Sequence, residues 1–416
     1  MTISLKKINI WKVLFVYLIF QPVLNTYINV SAINTLISYS DEIIAVILAV
    51  LAIVKSIQQL TLLRFERIML IALVIFELIG LISGFASKIQ GVGPTLVDAF
   101  TCAKFFIYYL STRILTKDKL TEKYFFSLNN VCKIFAVVLF VLALHDAFMT
   151  PWFPVADFRY FTESITLGFG HPEYLSRVCF SLILVLCYNY RYFKHNIYYI
   201  MMLTVVMFLS FRTKSFVCVF ILFVMYIYFF KLRLKSITPI ALAGAAGIGY
   251  FGYDSFVFYY IEHDQCARAL LTRDGLYLAK QYFPLGTGFG TFASYIASAF
   301  YSKLYIFLGY YNMYGTGLDE VEGNALSDTF WPIVYTQTGI FGFIAFIIAL
   351  FSMIFYIIKS RKTDLYFFWI AMSLILYDLI STSASSAFFH PSSMVSYLFL
   401  GLITSIHEFP KKEKIQ

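Results

Sequence analysis

Charge is what this chain has least of. Lys, Arg, Asp and Glu make up 13 % of its 416 residues, roughly half the share of an average soluble domain. Hydrophobic residues supply 60 % and aromatics 20 %, with a mean hydropathy of +0.77. That balance excludes a soluble globular protein. It also removes the usual meaning of a net charge of +9: no nucleic-acid partner is expected, and the excess reads as Lys and Arg kept in cytoplasmic loops. Paired cysteines are lacking too. Of six, Cys102, Cys132, Cys179, Cys187 and Cys218 lie in or beside apolar runs, and only Cys266 is in a polar stretch. There is no CxxC, so neither a zinc site nor a disulfide framework is expected, and no cofactor is called for. No fixed-period repeat, low-complexity tract or strict strand alternation is present, which sets aside solenoids and outer-membrane barrels.

What the chain does have is long apolar runs. A helix needs ~20 residues to cross ~30 Å of hydrocarbon, and runs near that length recur throughout. Spans are predicted at 8–28, 41–58, 66–86, 95–115, 131–150, 171–190, 196–211, 214–231, 236–256, 329–358, 365–385 and 391–407. The expectation is therefore an all-α polytopic membrane protein with about twelve transmembrane helices. Lys6 and Lys7 before the first run mimic a secretory signal, but no small-x-small cleavage site follows, so an uncleaved first helix is expected.

Sorting Lys and Arg by alternate loops puts 22 on one side and nine on the other, with Lys104 inside a span. The richer side is predicted cytoplasmic, with both termini inside. The chain then divides into helices over 1–256, a large outer loop over 257–328, and helices over 329–416. Long outer segments, here 151–172 and 257–328, are where function is expected.

Charges on the poorer side lie against the topological bias and need another reason. Arg159, Arg177, Arg212, Lys214, Arg268 and Arg273 would together suit a phosphate-bearing ligand at the outer surface, since a guanidinium fork matches phosphate oxygens. The bland alternative is snorkelling or pairing with nearby acids. In "GHPEYLSRVCF", Glu173 and Arg177 are four apart and share a helix face, so an internal ion pair competes with ligand binding. His171 before Pro172 is either a helix cap or a ligand contact. "GTGFG" (286–290) lacks a preceding strand, and tight turning at the membrane surface is its reading. Among the acids at 319–328, Asp328 precedes an apolar run and is either an N-cap or a general base, with Glu322 and His263 as other bases. Tyr301, Tyr305, Tyr310, Tyr311 and Tyr314 would line a glycan groove or sit at the lipid interface.

Four stretches in order, "GFGHPEYL", "LSFRTKSFVCVFILF", "R…PLGTGFGTF" and "SDTFWPIVYTQTGIFGF", resemble the O-antigen polymerase and ligase superfamily over about residues 151–345. Arg159, eleven positions before Gly170, resembles an Arg-x10-Gly pattern of such polymerases. The family's histidine near the end of the large loop has no counterpart in "EGNALSD", which favours polymerase over ligase. The resemblance implies a metal-free membrane glycosyltransferase of the bacterial inner membrane, acting outside on undecaprenyl-pyrophosphate-linked oligosaccharides for O-antigen or another surface polysaccharide such as capsule. A chain-length regulator would be a partner. Arg212, Arg268 and Arg177 would hold the pyrophosphate, Lys214 and Arg273 would steer it, and Asp328, Glu322 or His263 would take the proton. A ligase acting on lipid A core or a lipid-linked oligosaccharide flippase are the alternatives.

Overall fold

The computed structural model describes residues 10–28, 31–58, 62–117, 122–156, 158–159, 162–234, 253, 257–258, 262–263, 265–313, 315–317 and 325–407. These fold into helices α1 (Ile10–Tyr27), α2 (Ser31–Ser38), α3 (Ser40–Gln58), α4 (Arg64–Ser87), α5 (Val92–Thr116) and α6 (Glu122–Phe148). After these come α7 (Pro172–Tyr188), α8 (Asn196–Leu209), α9 (Thr213–Tyr226), α10 (Ala267–Gln281), α11 (Tyr295–Ala299) and α12 (Lys303–Phe307). The C-terminal helices are α13 (Trp331–Ser360), α14 (Leu365–Ser381) and α15 (Met394–Ile406). The one departure from all-α among the described residues is a two-residue hairpin, Phe158–Arg159 against Thr162–Glu163.

Among the described residues, five helical stretches are long and apolar enough to cross a membrane: Ile10–Tyr27, Arg64–Ser87, Tyr124–Phe148, Thr213–Lys231 and Trp331–Ser360. Three shorter apolar helices accompany them. The predicted span 236–256 lies almost wholly outside the described residues. Helix α4 shows the inside-out pattern of a bilayer solvent: Met69, Leu73 and Phe76 are buried, yet Ile71, Ile75, Leu78 and Ile82 are exposed. A soluble helix would carry polar residues on that second face.

The core pairs are α4 with α13, α5 with α15, α3 with α5, α7 with α8 and α9 with α14. Starts are marked by local chemistry: Asp364 caps α14 by accepting from the amides of Tyr366 (2.9 Å) and Phe367 (3.0 Å).

The "GTGFG" stretch corrects the expectation of a surface turn. Residues 286–294 are buried, wedged between α4 and α13. Helix α13 is broken at Gly339 (φ 58, ψ −163), so carbonyls upstream of the break lose their intrahelical amides. The loop supplies replacements. Thr287 N donates to Thr336 O (2.9 Å) and Gly288 N to Gln337 O (2.8 Å). Ser87 Oγ on α4 donates to Thr287 O at 2.8 Å, and Ser83 Oγ to Gly286 O. Glycine is required at 288: with φ +92, an added Cβ would lie 2.1 Å from Gly84 Cα.

Candidate functional site

The site is built around the first turn of α7. Leu167 (φ 48), Gly168 and Gly170 take left-handed backbone and turn the chain into that helix. Proline at the first helical position is pre-set for it. His171 is the N-cap, with Nδ1 accepting from Glu173 N at 3.2 Å. Its Nε2 lies 3.4 Å from an Arg212 terminal nitrogen. A neutral imidazole has one acceptor nitrogen, so His171 serves the cap or the guanidinium, one at a time.

Arg212 ends a strained turn. Phe211 has φ 48 without being glycine, a cost that tends to collect at functional sites. The turn is braced by Ile165 N donating to Leu209 O (3.4 Å) and Ser215 N donating to Arg212 O (2.8 Å). The hydroxyls of Ser176 and Ser215 then tie α9 to α7.

Glu173 is the hub of the charges. Its Oε1 meets Lys214 Nζ, an Arg177 nitrogen at 3.2 Å and Ser385 Oγ at 2.9 Å. The shared helix face read from the sequence is thus occupied by a real i,i+4 ion pair. Arg177 goes further inward: one nitrogen meets Asp378 and Ser393 Oγ, each at 2.5 Å, and the carbonyl of Ala387 at 3.3 Å. At 2 % exposure, both terminal nitrogens are committed to protein atoms, while Nε is buried with no hydrogen-bond partner among the described residues. The expected role as a direct phosphate contact is corrected to a post that holds Glu173 in place.

Arg268, in the first turn of α10, donates to Asp328 at 3.3 Å, and both remain partly open. Asp328 lies in the electrostatic neighbourhood of Glu173 and Lys214, so the large loop delivers this pair to the α7–α9 cluster. Burial pushes the Asp328 carboxyl above its usual range, with Arg268 opposing and Glu173 reinforcing. The N-cap alternative fails: α13 starts at Trp331 with Phe330 in the cap position.

The remaining expectations fall elsewhere. Arg273 is 58 % exposed and pairs with Asp274 at 2.9 Å, so it is a surface ion pair apart from the cluster. His263 is exposed, its ring on Phe258 (4.0 Å) and Nδ1 at the Phe258 carbonyl (3.0 Å). Arg159 contributes its backbone to the hairpin, and its side chain lies outside the described residues, as do Glu322 and Tyr314. Tyr305 and Tyr310 are fully buried and stacked on each other at 5.6 Å. They are loop core, which corrects their place in a groove; Tyr311 stays exposed and Tyr301 half-buried.

Sequence reading passed over His390. The signal was present: "HP" at 390–391 repeats "HP" at 171–172. In both, the histidine Nδ1 accepts from the amide two residues on, here Ser392 N at 3.2 Å. The two rings flank Tyr174, at 5.4 Å for His171 and 4.4 Å for His390. Burial, helped by Arg177, lowers the His390 pKa to about 3, so this ring is neutral.

A second polar cluster was also missed. Lys104, 0 % exposed, bridges Asp41 (2.5 Å) and Glu42 (2.6 Å), and Gln21 Nε2 donates to Asp41 at 2.8 Å. Among the described residues, no group of three or more His, Cys, Asp or Glu could hold a metal ion.

No protein-family model matches the chain, and no curated protein is similar to it.

Proposed function

We propose that the chain is a membrane glycosyltransferase that polymerises oligosaccharide repeat units linked to undecaprenyl pyrophosphate, at the outer face of a bacterial cytoplasmic membrane. The observation that carries this reading is the meeting of Arg212, Lys214 and the Arg268–Asp328 pair around the start of α7, on the side poor in Lys and Arg. A bundle of about twelve spans with both termini cytoplasmic fits the charge asymmetry of the loops.

In this reading the pyrophosphate lies against Arg212, Arg268 and Lys214. A hydroxyl of the incoming unit attacks the anomeric carbon of the chain's reducing-end sugar. The new glycosidic C–O bond forms as the C–O bond to pyrophosphate breaks, and the electron pair leaves on a phosphate oxygen. Guanidinium groups held ready stabilise that charge. Asp328, with its raised proton affinity, takes the hydroxyl proton.

The test is Arg212→Lys in cells lacking the native gene. Lysine keeps the charge and loses the two-pronged fork, so single repeat units should replace long polymer while protein accumulates normally. Long polymer at parental levels from Arg212→Ala would refute the role. A ligase would instead leave finished polymer stranded on its lipid carrier.

A further inference from the structure

Two helices give the depth of the large loop in the bilayer. At ~1.5 Å per residue, the unbroken stretch of α13 from Ile340 to Ser360 is about 30 Å long, enough to cross the hydrocarbon alone. Helix α4 covers a similar length between Arg64 and Ser83. Their basic ends, Arg64 and Arg67 on α4 and Lys359 on α13, lie at one membrane face. At the other, Ser83 and the break at Gly339 meet in the loop: Ser83 Oγ donates to Gly286 O, and Ile340 N donates to Pro284 O at 3.1 Å. This junction marks the outer edge of the hydrocarbon. Residues 331–338 of α13 therefore stand at the level of the lipid headgroups.

Helix α10 packs on that headgroup-level half. Thr336 Oγ1 donates to Gly275 O (3.1 Å), and Tyr335 Oη donates to Thr272 O (3.0 Å). A Cβ at Gly275 would lie 2.8 Å from Thr336 Oγ1, so the two helices are in close contact. Leu270, Leu271 and Leu278 are buried on the inner side. The other side carries Arg273, Leu276, Tyr277 and Lys280, whose spacing puts them on one helix face, and all four are exposed. Asp274 stays inward, accepting from Arg273 Nε and from the buried Tyr310, each at 2.9 Å, so the exposed face keeps its two bases outward. Just past the helix, Phe283 is 69 % exposed. The bond from Ile340 N to Pro284 O joins this end of α10 to the exposed apolar face of α13, formed by Ile340, Phe341 and Ile344.

A face of Leu, Tyr and Phe flanked by Arg and Lys is poorly matched to water. It suits a lipid surface, where the apolar groups enter the acyl boundary and the cations reach phosphate. Resting on the topology of the function proposed above and not on its chemistry, we infer that α10 is an interfacial helix lying on the outer leaflet. Leu276, Tyr277 and Phe283 sit at the boundary of headgroups and acyl chains, and Arg273 and Lys280 hold the phosphates of anionic lipid. Arg268, in the first turn of the same helix, reaches Asp328 at 3.3 Å. Seating α10 on lipid therefore sets the height at which that pair stands above the hydrocarbon.

The experiment attaches a nitroxide to Leu276→Cys, Phe283→Cys or Ile344→Cys in the full-length chain carrying Cys266→Ser, the other five cysteines being buried. Each labelled protein is placed in vesicles of phosphatidylcholine, with and without phosphatidylglycerol. Collisions with oxygen, which concentrates in lipid, and with a water-soluble nickel chelate report depth. The labels at 276 and 283 should favour oxygen over nickel at least about threefold more than a free nitroxide in water does, and less than the label at 344. Phosphatidylglycerol should lower nickel access at 276 about twofold, and Arg273→Gln with Lys280→Gln should abolish that difference. Nickel access equal to that of the free nitroxide would put α10 in water and overturn the interfacial placement. Exclusion of both reagents would mean that another segment or a second copy of the chain covers the face, and would overturn it equally. No effect of phosphatidylglycerol on the parent would overturn the roles of Arg273 and Lys280. Free nickel access at 344 as well would overturn the topology, and the function proposed above with it.

Discussion

Replacing Glu173 by Gln removes one charge from a nearly dry cluster and keeps its shape. Glu173 and Lys214 side chains are 12 % and 13 % exposed, and Arg177 is at 2 %. Breaking a buried ion pair from one side costs about 3–5 kcal/mol, because the surviving charge is stranded. Arg177 keeps Asp378 at 2.5 Å, so the stranded charge is chiefly Lys214, and the expected loss is about 2–4 kcal/mol. Lys214→Met alone leaves Glu173 with Arg177 at 3.2 Å, and should cost less, about 1–2 kcal/mol. The double variant strands neither group. Its loss should be smaller than the sum of the singles by at least about 1.5 kcal/mol, within the range of direct contacts. The assay is reversible unfolding of the detergent-solubilised protein at pH 7, run as a four-member cycle. Losses that add to within about 0.5 kcal/mol would refute the hub, since independent sites behave that way.

Asp328→Asn keeps a hydrogen bond to Arg268 but takes no proton, so polymer formation should fall about 10²-fold or more at unchanged protein level. Full polymer would leave Asp328 a mere partner for Arg268. Gly288→Ala forces a Cβ to 2.1 Å from Gly84 Cα at φ +92. Combined backbone strain and overpacking of about 2–5 kcal/mol should show as a lowered melting temperature, and an unchanged melt would mean the loop is not wedged there. His390 supplies a pH signature. Its folded pKa of about 3 lies below the ordinary 6.5, so its stabilising contribution is complete above pH 6.5 and drains as pH falls toward 3. Melting temperature should drop between pH 7 and pH 4.5, and His390→Gln should flatten the drop; an equal drop in the variant would assign it to other groups.

Helices and local pairs were the legible part. Apolar runs announced the spans, and four-residue spacing announced Glu173 with Arg177, because both signals are written within one or two turns. Asp378, which completes the Arg177 site, lies 201 residues away, and no local pattern links them. Lys104 stood out as a charge inside an apolar run, but its partners Asp41 and Glu42 are more than sixty residues upstream. The burial of "GTGFG" was hidden for another reason. Glycine-rich stretches read as turns, and only the facing Gly84 and Gly339 reveal that these glycines serve close backbone approach. Asp328 as a cap failed because α13 begins two residues later than the apolar run implied.

The break at Gly339 also constrains how the chain is made. Carbonyls of Thr336 and Gln337 find their amides in the loop at 287–288, and Ser83 on α4 reaches across 203 residues to the same loop. In hydrocarbon, a peptide group left waiting for its partner is expensive. Helix α4 emerges from the ribosome long before residue 284 exists, so its Ser83–Ser87 face must wait, shielded by the insertion machinery or by water near the surface. Only when α13 arrives can α4, the loop and α13 close together. The closing of α4, the loop and α13 is therefore a late, joint step, and a chain cut short between residues 284 and 340 should be recognised and degraded by membrane quality control instead of persisting as a half-built bundle.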